Sequence, residues 1–297
     1  MKTRARSSQI KLFAEQPTYP AWLSAPAMLW MGCFFLAPLL IVLLVSFATR
    51  GTYGGVIWHF TIANYAELLH PLYLRIFAQS LLFAAATTLL CLIIGFPLAY
   101  FIARAPQRRQ SIWLLLVLVP FWTNFLVRTY AWMVILRAEG LLNGWLLHWG
   151  MIDQPVEVLY TPAAVLIGLV YGYLPFMVLP LYVACERIPP ILLDAGRDLY
   201  AGNWSLFCRV IWPLAKPGVI AGSILVFIPT VGAFLTPDLL GGARTMMIGN
   251  LIQHEYLVVR DWPLGSALAF ILMVMVVLLL RSYFRADRRM TLQQVLQ

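Results

Sequence analysis

Residues Ile76 to Ala103, IFAQSLLFAAATTLLCLIIGFPLAYFIA, form an apolar stretch without a single charged side chain. A helix rises about 1.5 Å per residue, so roughly 20 apolar residues cross the hydrocarbon core of a membrane. This stretch is longer than that minimum. The sequence therefore predicts a membrane-spanning helix at 76–103.

Five further blocks of the same character surround this one, and the chain as a whole is 62% hydrophobic and 11% charged. An average soluble domain has roughly 25% charged residues, and the much lower charged fraction of this chain excludes a soluble protein. We therefore predict an all-α, polytopic membrane protein with six transmembrane helices. The block nearest the amino terminus, Leu23 to Phe47, is too long for the core of a cleavable signal peptide and should remain as an anchor. The other five blocks are Leu23 to Phe47, Ile112 to Leu136, Pro162 to Cys185, Gly218 to Thr236 and Gly265 to Leu280.

The distribution of positive charge predicts the orientation of these spans. The amino tail, the second loop, the fourth loop and the carboxyl tail hold 15 of the 21 Lys and Arg residues. Short cytoplasmic loops are the ones enriched in these residues, so both termini should be cytoplasmic. The predicted parts are a cytoplasmic tail at 1–22, a transmembrane domain at 23–284 and a second tail at 285–297. The net charge of +9 needs no nucleic-acid partner, since basic loops lie beside anionic membrane lipid.

The motifs of catalysis and nucleotide binding are missing from the sequence. All four histidines fall in predicted outer loops, and there is no zinc-protease motif, nucleophilic-serine motif or phosphate-binding loop. We therefore predict a chain that is not an enzyme and binds no cofactor or metal. Internal prolines favour kinked helices around a cavity, as in a transporter, although proline is also common in ordinary membrane helices. They are Pro38, Pro97, Pro120, Pro175, Pro180 and Pro229.

The fourth loop, residues 186–217, has a helical periodicity of its own. Ile191, Leu192, Ala195 and Leu199 make one apolar stripe, and a second stretch, which includes Leu206 and Ile211, is closed by Pro213. Two short amphipathic helices of this kind predict a docking element for a partner. The alternative is a pair of helices lying on the lipid surface.

This loop resembles the EAA loop of permease subunits of binding-protein-dependent ABC importers. Asp194 replaces the Glu of that motif, Gly196 replaces its second Ala, and Tyr200 replaces its turn Gly. Gly202, two residues later, is the alternative source of backbone freedom. The resemblance implies that the loop couples a cytoplasmic ATPase to the membrane helices. The matching residues are Asp194, Ala195, Gly196, Ala201, Gly202, Phe207, Val210, Pro213 and Leu214.

A wider set of fragments resembles the permeases of spermidine/putrescine importers. They include Pro120-Phe121-Trp122-Thr123-Asn124, Arg128, Tyr130, Leu142-Asn143, Ile152-Asp153-Gln154-Pro155, Leu239-Leu240-Gly241-Gly242 and Arg260-Asp261-Trp262-Pro263.

This resemblance implies the fold of a type I ABC importer permease in the bacterial inner membrane, working by alternating access. It further implies three kinds of protein partner: a second permease subunit, two copies of an ATPase that hold ATP and Mg, and an extracytoplasmic solute-binding protein. Two alternatives remain open at this point. One is an importer of an opine, an amino-acid derivative or an organophosphonate, and the other is a membrane scaffold that recruits a partner other than an ATPase.

A polyamine is a flexible cation, so its path should offer carboxylates and aromatic faces. Asp238, beyond the fifth span, is the first candidate for an acidic contact, although it could instead cap a helix or pair with an arginine. The aromatic candidates could equally belong to the interfacial belt. They are Trp122, Tyr130, Trp132, Tyr171 and Tyr173.

Arg128 would repel a polycation, so we assign it a structural ion pair, with Asp238 as one candidate partner. For an anionic solute the same arginine would be an asset. Asp153, Glu157 and Asp261 lie in predicted outer loops and are our candidates for docking the solute-binding protein.

Overall fold

The computed structural model describes residues 25–242 and 245–295, with side chains described as far as Arg281. The predicted amino tail, 1–22, lies outside the described residues. Within them the chain is overwhelmingly helical, which confirms the predicted class. The strands in this part of the chain are β1 (Thr49–Arg50) and β2 (Val56–Ile57), an antiparallel hairpin in which Thr49 faces Ile57.

Helices make up most of the described chain. In chain order they are α1 (Ala25–Ser46), α2 (Ala63–Glu67), α3 (Pro71–Arg104), α4 (Gln107–Leu118), α5 (Phe125–Leu136), α6 (Leu141–His148), α7 (Pro162–Glu186), α8 (Pro190–Asp198), α9 (Asn203–Val231), α10 (Ile248–His254) and α11 (Trp262–Val295). Four π-helical segments occur within the described residues: Gly32–Leu36 inside α1, Phe207–Ile211 inside α9, Pro237–Gly241, and Glu255–Val259 after α10.

Five of the described helices are long and apolar enough to cross a membrane: α1, α3, α7, α9 and the Trp262–Arg281 part of α11. The bent pair Gln107–Trp122 and Phe125–His148, which contains α4, α5 and α6, makes a sixth span if it is counted as one. These six correspond to the six predicted blocks.

The third block is sharply bent, with an angle of 89° between its two halves. A 3-10 turn, Val119–Trp122, contains Pro120 and ends α4, and Thr123 then takes an extended conformation. The Asn124 side chain accepts a hydrogen bond of 2.8 Å from the backbone N–H of Leu126 and so begins α5. A proline stop followed at once by an asparagine cap explains why this block is two helices.

The predicted limits of the fifth span, Gly218 to Thr236, are wrong. The helix begins at Asn203, runs through Pro213 without a break and ends at Val231. The prediction that Pro213 closes a short helix is therefore also wrong. In the π-helical segment before Pro213, the Trp212 N–H bonds to the Phe207 carbonyl five residues back, and this wider turn accommodates the proline ring.

The last helix continues past the predicted span, Gly265 to Leu280. Its backbone stays helical to Val295, so most of the segment predicted as a tail, 285–297, extends the same helix.

Helices α3, α7 and α9 form the centre of the molecule. Cys91 of α3, Met177 of α7 and Val226 of α9 are fully buried in one apolar cluster. A second cluster, at the predicted outer end, joins α3 to α10 and α11, and a third joins α5, α7 and the Pro237–Gly241 segment.

The contact between α7 and α9 depends on two small residues. A Cβ placed on Gly218 would lie 2.5 Å from the Ala184 Cβ and 2.6 Å from the Pro180 carbonyl oxygen. A Cβ on Gly222 would lie 2.7 Å from the Met177 sulfur. Gly218 and Gly222 thus form a G-x-x-x-G pair that lets two backbones touch, which is how membrane helices gain packing energy without a hydrophobic driving force.

Helix α1 stands apart from this centre, and the 18-residue window that defines it as a span has no buried residue. It is tied to the remainder at its carboxyl end, where the Ser46 and Tyr65 hydroxyls lie 2.7 Å apart and Asn64 Nδ2 donates to the carbonyl of Ser46. The Ala37–Ser46 part of α1 also packs against α11, so only the remaining surface of α1 is free to meet lipid or another protein.

We expect Gly218→Ala to lower the thermal unfolding midpoint of the purified protein, because the added methyl group must push α7 away from α9. Overpacking of this kind costs about 1–3 kcal/mol. Gly144→Ala is the matched control, since a Cβ at Gly144 in α6 meets nothing within 4 Å and gains helix propensity. Equal midpoints for the two variants would contradict the close helix contact.

Candidate solute path and coupling surface

A narrow cleft lies between α5 and α7, immediately after the bend. Its lining consists of Phe125, Arg128, Thr129, Trp132, Gly168, Tyr171, Gly172 and Leu240. The bend brings this set together, because it turns α5 so that its first two turns face the middle of α7. The Pro237–Gly241 segment closes one side through Leu240, which is fully buried.

Arg128 supplies the charge of this cleft. Its guanidinium carbon lies 4.4 Å from the centre of the Phe121 ring and 5.6 Å from that of Phe125. Cation–π contacts of this kind contribute about 0.5–2 kcal/mol each, depending on desolvation. The two aromatic rings therefore hold the arginine in place.

The predicted ion pair of Arg128 is not formed within the described residues. Asp238 is exposed in the Pro237–Gly241 segment and makes no salt bridge with it. Nε and Nη1 of Arg128 are buried and have no hydrogen-bond partner in the described part of the chain. The assignment of Arg128 to a structural ion pair is thus wrong for the isolated chain, because aromatic faces, and not a carboxylate, surround the guanidinium.

The five aromatic candidates do not form one group. Trp132 and Tyr171 meet in the cleft, with ring centres 5.4 Å apart, and Tyr171 also lies beside Phe121. Trp122 and Tyr130 are exposed. The Tyr173 hydroxyl donates a 3.4 Å hydrogen bond to the Pro229 carbonyl, which ties α7 to α9.

The predicted outer loop between α6 and α7 is organised by a buried amide. The Asn143 side chain donates to the carbonyls of Arg137, Ala138 and Val156 and accepts from the Val156 N–H at 3.0 Å. Four hydrogen bonds satisfy this buried group and fix the loop. Its flanking carboxylates, Asp153 and Glu157, remain exposed, as a docking surface requires.

Asp261 has a structural task that the sequence reasoning did not assign. Its Oδ1 accepts a 3.0 Å hydrogen bond from the Leu264 N–H, so it caps the amino end of α11. It is also half-exposed and can still meet another protein.

Two carboxylates near Asp261 were missed altogether. Glu255 is buried, with 8% exposure, and burial together with the negative charge of Asp261 and Glu67 raises its pKa above the usual range, against the opposing pull of His254. The Tyr73 hydroxyl donates to Glu67 at 3.3 Å. These acids come from separate segments, so no local pattern in the sequence could have grouped them.

The predicted coupling loop contains a short helix, α8, with one packed face and one exposed face. Leu193 of α8 is buried against the helix bundle, whereas Ile191, Leu192 and Leu199 point outward, Leu199 with 82% exposure. Gly196 lies where α8 crosses α9, since a Cβ there would meet the Leu206 side chain at 2.5 Å. The predicted apolar stripe therefore remains uncovered while the opposite face packs.

The turn after α8 corrects our expectation for Gly202. That residue has an ordinary φ of −63°, and Tyr200 itself takes the left-handed conformation with φ of 56°. The Ala201 N–H bonds to the Gly196 carbonyl at 3.1 Å and the Tyr200 N–H to that of Arg197 at 2.9 Å, which is a Schellman motif. Tyr200, 97% exposed, thus occupies a position that usually requires glycine.

The other residues matched to the coupling motif divide between the two faces. Asp194 and Ala195 are exposed, and Asp194 pairs with Arg197 at 3.4 Å. Phe207 and Val210 instead pack inward, with the ring of Phe207 5.4 Å from that of Phe96 in α3. The loop is therefore anchored in the central cluster.

Among the described side chains, no group of three or more His, Cys, Asp or Glu residues is placed to hold a metal ion. Four free cysteines lie within the described ranges: Cys33 and Cys208 are exposed, whereas Cys91 and Cys185 are buried.

Comparisons with known proteins agree with this architecture. Residues 95–292 match the family described as binding-protein-dependent transport system inner membrane component. The spermidine/putrescine transport system permease protein PotB of Escherichia coli is 44% identical over 259 residues, 87% of this chain and 94% of its own. PotB of Haemophilus influenzae is 44% identical over the same share of this chain and 91% of its own.

A solved structure of a bacterial alginate ABC transporter with its pentasaccharide-bound periplasmic protein has a chain of the same fold. The TM-score is 0.74, with 91% of this chain and 96% of that chain covered and 16% sequence identity. The relatives are transport subunits and not enzymes. The chain described here is a multi-pass membrane protein that belongs to the family of inner membrane components of binding-protein-dependent transport systems.

Proposed function

We propose that this chain is the permease subunit of an ATP-driven importer that carries the polyamines spermidine and putrescine into the cytoplasm by alternating access. The similarity to two spermidine/putrescine permeases over nearly the whole of their length carries the proposal. The chain would reside in the inner membrane of a bacterium with both termini in the cytoplasm. ATP and Mg would bind to a partner, since the sequence has no phosphate-binding loop.

Two copies of a cytoplasmic ATPase and a second permease subunit would complete the membrane complex. The uncovered apolar stripe of α8 supports an ATPase partner, because exposed leucine and isoleucine on an amphipathic helix suit a groove on another protein. The surface of α1 that does not face α11 supports a second permease subunit. A solute-binding protein would meet the outer loops that carry Asp153, Glu157 and Asp261.

The anchoring of α8 suggests how the motion of an ATPase would reach the membrane. Leu193, Leu206 and Phe207 belong to the same cluster as the α3 and α7 core, so a displacement of α8 must displace that core. The unbroken helix α9 has 29 residues and extends about 43 Å from this cluster to the opposite end. A continuous helix of that length gives a direct path for a tilt from the loop to the opposite end of the protein.

An importer of an anionic solute is the second candidate. One observation favours it: Arg128 is half-buried in the cleft between α5 and α7, and two of its donor atoms, Nε and Nη1, are buried without a partner among the described residues. A carboxylate or phosphonate would satisfy them. A polycation would need its acidic contacts elsewhere, and exposed Asp238 is our candidate.

Leu199→Glu should weaken ATPase binding roughly tenfold or more, because a leucine that fills a groove contributes about 1.5–3 kcal/mol and a carboxylate there is unpaired. Copurification of the ATPase and its hydrolysis rate are the measurements. Arg197→Ala is the control, since the exposed pair with Asp194 contributes at most about 1 kcal/mol. A Leu199→Glu complex that assembles and hydrolyses like wild type would remove α8 as the coupling element.

Labelled spermidine and putrescine should be taken up saturably by cells that lack their own polyamine importers and express the complete transporter. We expect Asp238→Asn to reduce this uptake several-fold, because it removes the acidic contact, while Glu139→Gln, another exposed carboxylate of the predicted outer side, leaves it unchanged. Unaltered uptake in the Asp238 variant would assign that residue to structure. No uptake by a complex that assembles and hydrolyses ATP would exclude polyamines.

Asp153→Lys should weaken the stimulation of ATP hydrolysis by the loaded solute-binding protein and leave basal hydrolysis intact, since it reverses a charge on the proposed docking surface. At Asp261 the variant of choice is Asn, which keeps the cap of α11 and removes only the charge. Hydrolysis is measured with increasing binding protein. Unchanged stimulation in both variants would take these loops out of the docking surface.

A further inference from the structure

A groove of about 570 Å³ opens where α3 ends and α4 begins, far from the cleft that contains Arg128. Its lining residues are Pro97, Tyr100, Phe101, Arg104, Ala105, Pro106, Arg109 and Trp113. Two of them are arginines at one end, and the others are almost entirely apolar or aromatic. The groove is therefore amphipathic along its length.

The charged end of the groove lacks a counter-ion. Nη1 and Nη2 of Arg104 donate to the Ile188 and Cys185 carbonyls at 3.3 and 3.5 Å, whereas its Nε is buried without a partner. Within the described residues neither Arg104 nor Arg109 forms a salt bridge. An anion at this end would meet an orphaned donor and a free guanidinium.

Helix α4 adds to the positive potential. Its amino end, at Gln107, has no side-chain cap and no acidic residue in the first turn. Free amides at a helix start and the helix dipole both favour an anion. Gln110 holds this turn rigid, since its Nε2 donates to the carbonyls of Ala103 and Ala105.

The apolar end of the groove indicates what kind of anion fits. Phe101 and Trp113 are exposed on the wall, with ring centres 5.7 Å apart in an edge-to-face arrangement. Arg104 is the last residue of an apolar helix long enough to cross a membrane, so the groove lies at the level where lipid head groups meet acyl chains. Aromatic side chains are typical of that level.

We propose that this groove binds an anionic membrane phospholipid, with the phosphate at Arg104 and Arg109 and an acyl chain along Phe101 and Trp113. The inference rests on the proposed placement of this end of the bundle at the cytoplasmic surface, where anionic lipids bind basic pockets between helices. A free phosphate ion would use the arginine end alone.

The test measures lipid binding to the assembled transporter in detergent by native mass spectrometry, with phosphatidylglycerol and phosphatidylcholine of equal chain length as probes. Arg109→Gln should lower the affinity for phosphatidylglycerol roughly tenfold, the usual effect of losing one charged hydrogen bond. Arg108→Gln, which removes the neighbouring charge outside the groove lining, should change it less than about twofold. Phe101→Ala should weaken the binding of phosphatidylglycerol and leave the binding of inorganic phosphate unchanged.

Several results would overturn the proposal. Equal losses in the Arg108 and Arg109 variants would indicate bulk attraction only, and equal affinity for the two lipids would exclude an anion site. Inorganic phosphate that competes as well as the lipid would assign the groove to a free ion. No bound lipid in the wild-type complex would mean that a partner subunit covers the groove. Because binding is measured without transport, these results are independent of the identity of the solute.

Discussion

The direct contact between α7 and α9 is the interaction on which the remainder of this molecule depends. In lipid, helices gain little from the hydrophobic effect, and they associate only where their backbones come close enough for dense packing. Gly218 and Gly222 provide that approach on α9, against Ala184, Leu181 and Met177 of α7. Helix α3 then packs on both, and the buried cluster formed by the three helices is continuous with the coupling loop. A change in this contact would alter both ends of the protein.

The same packing explains the two faces of α8. Its inner side shares the central cluster through Leu193, and its outer side carries apolar residues that nothing in the described chain covers. A surface helix with an exposed apolar stripe is unfavourable in water unless a partner covers it. The left-handed Tyr200 at its end is unusual for an aromatic residue, because that conformation costs roughly 1–2 kcal/mol outside glycine. The Schellman hydrogen bonds that hold it also fix the angle at which α8 meets α9.

The cleft and the groove treat positive charge in different ways. At the cleft, aromatic rings surround Arg128 and leave Nε and Nη1 unsatisfied. At the groove, the guanidinium of Arg104 lies over the Tyr100 ring and is also held by two backbone carbonyls at the end of α7, which leaves only its Nε without a partner among the described residues. A cation held by carbonyls is part of the framework and can add an anion at small cost. A cation held by rings retains most of its capacity for hydrogen bonds, which is why solute or a second subunit is the natural partner there.

Composition and periodicity were sufficient for the class of protein, the position of the apolar blocks and the amphipathic nature of α8, because lipid imposes length and apolarity on every crossing helix. The resemblance in the coupling loop and in the fragments around Pro120 was sufficient to identify the family. The sequence could not show that Pro120 to Asn124 forms a sharp bend, or that α9 passes through Pro213, because a π turn and a 3-10 turn depend on their neighbours. Nor could it place Arg128 against Phe121 or form the groove at Arg104, since both depend on the angle at which consecutive helices meet. The grouping of Glu67 with Glu255 joins segments far apart in the chain. Local pattern fixes the secondary structure of each span, whereas partners across the bundle are chosen by close packing and by the need to satisfy buried polar groups.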